Sequence, residues 1–455
     1  MKRILLTGFA LVSIMATAQN SWVAQSTKFA ANYGVDEISI VDANTVWLTA
    51  YDGSGATPRV YPKVFSRTTN GGATWSSRAI SGLASNALIA DLHAIDGNTA
   101  FIVTAPSSGS VNANGVWKTT DAGASWTKQA VAYNPPGGTS FVNHIYFWDA
   151  NNGWTSGDPV GGKFEMYKTS NGGTTWTAVA GALAPENSDE STYVGQKEVQ
   201  GDHIWTGTSI GRVLHSADRG NTWTGSYSPA LDFGGVVTAG SSAHIAMNAD
   251  KIHGLLITVD GAGAAATTAA GLYSTSDGGA TWEQVDATGT WYFADVAYVP
   301  GTANTYVTTG SNFNKPEWMG SSYTTDGGLT WKSIDTGEQR GKLNFLNSTT
   351  GFAGQFSDGP SGTKGIMKFQ GDLALATSEA GVKSNLKIFP NPATDVVKIS
   401  SNNKIENVTV IDLAGRKVQS AKGSEINVSS LAKGTYILQV SYGGGAVENT
   451  KLIKK

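Results

Sequence analysis

The sequence predicts an all-β fold, and three observations carry that expectation. One eight-residue pattern, (S/T)-x-(D/N)-x-G-x-(T/S)-W, occurs six times. The 455 residues include 56 Gly and 14 Trp, as tight turns between short aromatic strands require. Between the turns, apolar and β-branched residues come in short alternating runs, the signature of half-buried strands.

The pattern reads TTNGGATW at 68–75, TTDAGASW at 119–126, TSNGGTTW at 169–176, SADRGNTW at 216–223, TSDGGATW at 275–282 and TTDGGLTW at 324–331. Its tryptophans, Trp75, Trp126, Trp176, Trp223, Trp282 and Trp331, lie about 51 residues apart on average, the size of one four-stranded propeller blade. The chemistry is that of a hairpin turn. A side-chain oxygen accepts backbone N–H groups two residues on, glycines supply positive φ, and the Trp starts the next strand. The acidic position is Asp121, Asp218, Asp277 and Asp326 in four copies but Asn70 and Asn171 in the other two. A metal site would want the charge, whereas a turn needs only the oxygen, so all six read as structural.

Each copy sits in a larger unit. In one unit, residues 88–96, 99–105, 115–120 and 125–130 read as strands A to D. Equivalent A–B pairs fall near 36–50, 141–156, 192–208, 243–259, 292–309 and 341–355, giving seven pairs against six turns. The seventh unit stops after strand C. Ser21-Trp22-Val23-Ala24-Gln25 looks like the D-strand start Ser125-Trp126-Thr127-Lys128-Gln129. Residues 21–27 are therefore expected beside 364–369, closing a seven-bladed β-propeller over 19–371 without an open edge. Trp22 is expected to be buried like the other six. The repeats resemble the Asp boxes (BNR-like repeats) of sialidases, sortilin-like receptors and other propellers. That resemblance is specific for fold and not for activity.

The two ends read differently. Lys2 and Arg3, the apolar run 4–16 and Ala16-Thr17-Ala18 make residues 1–18 a signal peptide, too short to span a bilayer. Residues 372–383 read as a linker. Residues 384–455 alternate like a small immunoglobulin-like β-sandwich. Within them, Pro390-Asn391-Pro392, then Asp412, Gly415 and Arg416, then Leu431, Gly434 and Tyr436 resemble the type A sorting domain of type IX secretion. The resemblance implies recognition by the type IX translocon and sorting machinery. It also implies a final location outside the cell or on the outer-membrane surface, reached through the periplasm. A carbohydrate-binding or adhesion sandwich is the alternative.

Charge narrows the function. Charged residues are 15% of the chain and the formal net charge is −3, so nothing suits a phosphate backbone and no nucleic-acid partner is expected. There is no Cys, hence no disulfide. No transmembrane segment, cofactor or metal is expected. Six His are too few for a His-rich cluster, and nucleophile-elbow and phosphate-loop patterns are missing.

The D–A and B–C loops should form the ligand face around the channel. Aligning strands A on Asp42, Asp96 and Asp149 places Glu37, Asp91 and His144 at one position, with Asp295, Lys342 and, less securely, Gln196 in other blades. These side chains should point toward the channel mouth. Loops on that face offer Trp291, Tyr292, Phe313, Lys315, Glu317 and Trp318, aromatic and charged groups that suit sugar rings. Asp158 sits on a B–C loop, as an acid or the start of an Asp-Pro turn. Residues 157–176 and 211–223 resemble bacterial propellers described as glycosyl-hydrolase-like or photosystem-assembly-factor-like. The expected function is a secreted binding module for glycan or protein. The alternative is a glycoside hydrolase using two of Glu37, Asp91, Asp158, Asp295 and Glu317. A sialidase is not expected, because that family's three substrate-binding arginines find no match among Arg59, Arg67, Arg78, Arg212, Arg219 and Arg340.

Overall fold

The computed structural model describes residues 20–455 apart from 109–112, 135–138, 233–241, 261–268, 312–314, 375–385, 402–403, 413–415 and 443–446. The expected signal peptide, most of the expected linker, Gly415 and Phe313 lie outside the described residues. The chain divides into two compact units, Met1–Thr377 and Ser378–Lys455.

The first unit holds seven four-stranded antiparallel sheets, each built from strands consecutive in sequence except the last. The first blade is Tyr33–Ile40, Val46–Asp52, Val64–Thr68 and Ser76–Ala79. Strands A of the next six are Ala87–Ala94, Val142–Phe147, Glu198–Gln200, Ser242–Met247, Asp295–Tyr298 and Leu343–Asn347. The seventh blade takes its D strand from the other end of the chain. Ser21–Ser26 pairs antiparallel with Gly365–Gln370, from Ser21 opposite Gln370 to Ser26 opposite Gly365. No sheet edge is left open at the seam.

All six copies of the repeat fold as the C–D turn. In each, the Asp or Asn Oδ1 accepts a backbone N–H at 2.9 Å, from Thr74, Ser125, Thr175, Thr222, Thr281 or Thr330. The donor lies four residues on, not two, because a hydroxyl tightens the turn from the other side. The leading Ser or Thr donates to Oδ1 and accepts the fifth residue's N–H, as Thr68 does with Asn70 and Gly72. Asn70 and Asn171 accept the same backbone N–H through Oδ1, and their Nδ2 donates to the hydroxyl that in the aspartate copies donates to Oδ2, so the oxygen and not the charge forms the turn.

The core lies between blades. Trp126 of the second blade packs on Trp47 and Phe65 of the first, Trp223 on Trp154, and Trp75 on Phe352 of the seventh. Trp22 fills the same slot, edge-on to Phe345 and Phe369 and donating to Ser321 Oγ at 2.8 Å. It is half-buried, as Trp176 and Trp282 are, whereas Trp75, Trp126, Trp223 and Trp331 are buried.

The turn aspartates give the fold an acid limb. Hydrogen bonds from Ser125 and Thr119 hold Asp121 down at about 2; in Asp218, Asp277 and Asp326 such bonds outweigh the upward push of burial. A carboxylate depressed in the folded state adds stability that is complete above its unfolded pKa and is lost as pH falls through its folded value. The melting temperature should therefore fall between about pH 4 and pH 2. Changing all four residues to Asn, as already stands at 70 and 171, should flatten that limb in calorimetry. An unchanged limb would remove the turns as its source.

The second unit is a sandwich of two sheets. One contains Lys387–Phe389, Val396–Ser400 and Glu425–Asn427; the other runs Lys417–Lys422, Ile405–Ile411, Gly434–Tyr442, Val447–Lys454. Val397, Val408, Val410, Val428, Leu438, Val440 and Leu452 form its core. Asn391 ties the opening Pro-Asn-Pro segment to the last strand, donating to Lys451 O and accepting from Ile453 N, both at 2.8 Å. Asp412 accepts from Arg416 N and Nε at 2.9 Å, and Tyr436 donates to Ala432 O at 2.9 Å. The sequence landmarks are turn and strand fasteners.

Candidate functional site: the axial channel

Strands A line the propeller axis, and their register places equivalent side chains in layers. Asp91 pairs across from Val103, His144 from Ser156, His244 from Ile257 and Asp295 from Thr309. Glu37, Lys342 and Gln196 stand at the same level of their blades. Two residues further along each strand lies a second layer: Ser39, His93, Tyr146, Glu198, Ala246, Ala297 and Asn344. Most of these residues line a cavity of about 350 Å³ on the axis.

The first layer is a set of fasteners between blades. Asp91 accepts Leu92 N with one oxygen and Ile145 N of the next blade with the other, both at 2.8 Å. Asp295 repeats this with Val296 N at 2.9 Å and Leu343 N at 2.8 Å. Each aspartate also meets a cation-forming group: Lys197 Nζ lies 2.5 Å from Asp91, and His244 Nδ1 2.9 Å from Asp295. Lys342 Nζ lies 3.1 Å from Glu37. His144 Nε2 donates to Tyr193 O at 2.8 Å, leaving Nδ1 to accept from Ser156 Oγ at 2.9 Å.

Burial sets the electrostatics. It pushes Glu37 up to about 8 despite Lys342, and raises Asp91 despite Lys197. It drives His144 and His93 down to about 3, so both imidazoles are neutral. Asp295 is pulled down, because His244 outweighs its burial. Glu198 is raised by burial to about 7 against hydrogen bonds from Gln200 and the Met247 amide.

The channel is covered on the expected ligand face. The long loop 179–197 crosses it. Arg212, buried, holds Glu190 at 2.9 Å; Asp158 accepts from Asn143 Nδ2 at 2.7 Å and Thr192 N at 3.1 Å. At the tip, a Cβ on Gly195 would lie 2.4 Å from Glu37 Oε1 and 2.8 Å from Ala90 O, and its φ is +66°, so only glycine fits. Val194 beside it is 42% exposed, while Gly195 is buried. The first layer therefore does not form an open mouth. The cavity runs instead toward the A–B turns, where Ile40, His93, Tyr146, Gln200, Pro300 and Asn344 are partly exposed.

The remaining expected site residues scatter. Asp158 lies within strand Gly153–Val160, which continues past Pro159 through a bulge, so it is a loop anchor and no turn residue. Its carboxyl is raised by burial to about 6. Tyr292 is in the core. Half-buried Trp291 packs near Phe293, which meets Trp318 edge-on at 5.2 Å under Lys315, 4.6 Å from the indole centre; Glu317 is exposed beside them. These groups stand apart from the cavity lining. The arginines are also dispersed: Arg67 over Trp47, Arg212 on Glu190, Arg219 on Asp202 and Arg340 on Asp335. Among the described residues no group of three or more His, Asp or Glu is placed to hold a metal, and no helix is long and apolar enough to cross a membrane.

The sequence alignment missed Lys197, Glu198 and His244, and with them the second layer as a whole, His93 and Tyr146 included. Asp250 accepts Ile252 N and His253 N in an A–B turn like those at Asp42 and Asp96, but the blade-5 connection is one residue longer, so that turn does not point to His244.

Residues 387–455 match the secretion system C-terminal sorting domain. No curated protein matches the chain significantly. Among solved structures, YCF48 from Cyanidioschyzon merolae is 18% identical with a TM-score of 0.49, covering 76% of this chain and 98% of its own. An ancestral GH74 enzyme is 12% identical at 0.48, covering 92% and 53%. PorZ, a surface component of the type IX secretion system of Porphyromonas gingivalis, is 16% identical at 0.44, covering 92% and 59%. At such identities and scores the propeller rests on its own seven sheets and not on these likenesses. The chain is a seven-bladed β-propeller that carries a C-terminal sorting domain of the type IX kind and is exported to the cell surface or beyond.

Proposed function

We propose that this protein is an exported binding module for a glycan or a protein, and that its propeller does not hydrolyse glycosides. The supporting observation is the commitment of the channel acids. A glycosidase needs two carboxyl groups free to face one sugar, about 5–10 Å apart, with water or substrate between them. Asp91 and Asp295 instead have both oxygens on backbone N–H groups of two blades. Asp158 anchors a loop, and Glu317 is exposed on another, away from the cavity lining.

One observation favours hydrolysis as the second reading: Glu37 and Glu198 line the same cavity and both are raised toward neutrality. The mature protein should be retained on members of a glycan or surface-protein array and should turn over no chromogenic glycoside above blank. Turnover lost in Glu198→Gln would overturn the binding reading in favour of the enzyme.

A further inference from the structure

We infer that the second layer of the channel is a site for an organic cation, the ammonium or guanidinium of a lysine or arginine side chain entering from the A–B turn face. This rests on the binding reading and names its ligand class. Each first-layer acid has a basic partner: Glu37 has Lys342, Asp91 has Lys197 and Asp295 has His244. Glu198 has no cation within 4.0 Å among the described residues; its hydrogen bonds come from Gln200 Nε2 at 2.8 Å and the Met247 amide. A carboxylate in a cavity that its own protein leaves uncompensated is stabilised by a ligand that brings the charge.

A second, independent feature points the same way. Gln196 Oε1 is buried, lines the same cavity and has no hydrogen-bond partner among the described residues. It asks for a donor. An ammonium has three donors and no acceptor, so it suits the Glu198 carboxylate and, once the Gln196 amide turns its oxygen toward the cavity, that oxygen as well. The wall beside Glu198 is aromatic. Tyr146 lies tilted against the neutral imidazole of His93, ring centres 4.5 Å apart and planes at 54°, and both line the cavity. Such faces attract cations and tolerate an alkyl stem. The small side chains of Ala297 and Ser39 leave space in the cavity, and Lys197 and Lys342 are held back by their own partners. The strap at Gly195 blocks the other end, so a side chain can enter but not thread through.

The test titrates the mature full-length protein with Nα-acetyl-lysine methylamide, Nα-acetyl-arginine methylamide and the neutral isostere Nα-acetyl-norleucine methylamide, followed by saturation-transfer NMR. Saturable binding of either cation, at least about tenfold tighter than norleucine, is expected. Glu198→Gln should weaken it about tenfold or more with melting temperature retained. Tyr146→Leu should weaken it as well, without touching the carboxylate. Equal binding of norleucine, unchanged binding in Glu198→Gln, or no saturable binding of either cation would each overturn the cation site. Retention on a glycan array with none of these probes bound would leave the binding reading standing and sink only this inference.

Discussion

A chain ending at Lys383 should collect in the periplasm, folded and soluble, while the full-length chain reaches the surface or the medium. The truncation removes residues 387–455, the whole region that matches a sorting domain. It removes no strand of the propeller, because the last blade is closed by Ser21–Ser26 and not by anything after Gln370. Export failure would then report lost recognition and not a broken passenger. Fractionation with immunoblotting should show an order-of-magnitude loss of the extracellular pool, and the periplasmic chain should resist mild proteolysis as the mature propeller does. Normal export of the truncated chain would place the export signal elsewhere.

The blades were legible because the C–D turn is chemically strict. An oxygen, a hydroxyl and a glycine must fall at fixed offsets, and tryptophan follows because the slot between blades is large. The closing strand was legible for the same reason: Ser-Trp at 21–22 repeats a D-strand start without its turn. The depth of Trp22 was not, nor that of Trp176 or Trp282, since exposure depends on which neighbouring side chains cover each indole.

The channel was only partly legible. Blades 1 to 3 share a five-residue A–B connection, 41–45, 95–99 and 148–152, so one offset from its aspartate finds Glu37, Asp91 and His144. In blade 5 the connection is 248–253, one residue longer, and the same offset from Asp250 lands on Ile245 instead of His244. Blade 4 turns at 201–202 and has no anchoring aspartate there of the same kind, so Glu198 carried no signal. Lys197 precedes the regular strand, where alternation no longer says which way a side chain points. The strap over the channel was invisible as well. Loop 179–197 is polar and irregular, and nothing local to Gly195 reveals that it reaches Glu37 in the first blade.

Asp91→Asn should lower the stability of the propeller by about 3–5 kcal/mol, because it breaks a buried pair from one side. The carboxylate now receives three donors: Leu92 N, Ile145 N and Lys197 Nζ. An amide of the same shape offers one acceptor oxygen and turns an NH₂ toward what remains, so at least one buried donor loses its partner. Lys197, whose side chain is 11% exposed, keeps its charge without a counterion. Two blades are joined at this point, so the loss should appear as an earlier urea midpoint in tryptophan fluorescence. Removing the ammonium too, in Asp91→Asn with Lys197→Met, should recover part of the loss, since the second change deletes the uncompensated charge. Asp295→Asn should cost less, because its partner His244 is an imidazole, which an amide can still hydrogen-bond, and not an ammonium. A catalytic Asp91 predicts the opposite pattern: activity lost and the midpoint unchanged. An unchanged midpoint in Asp91→Asn would therefore refute its role as a fastener between blades and return it to the list of candidate acids.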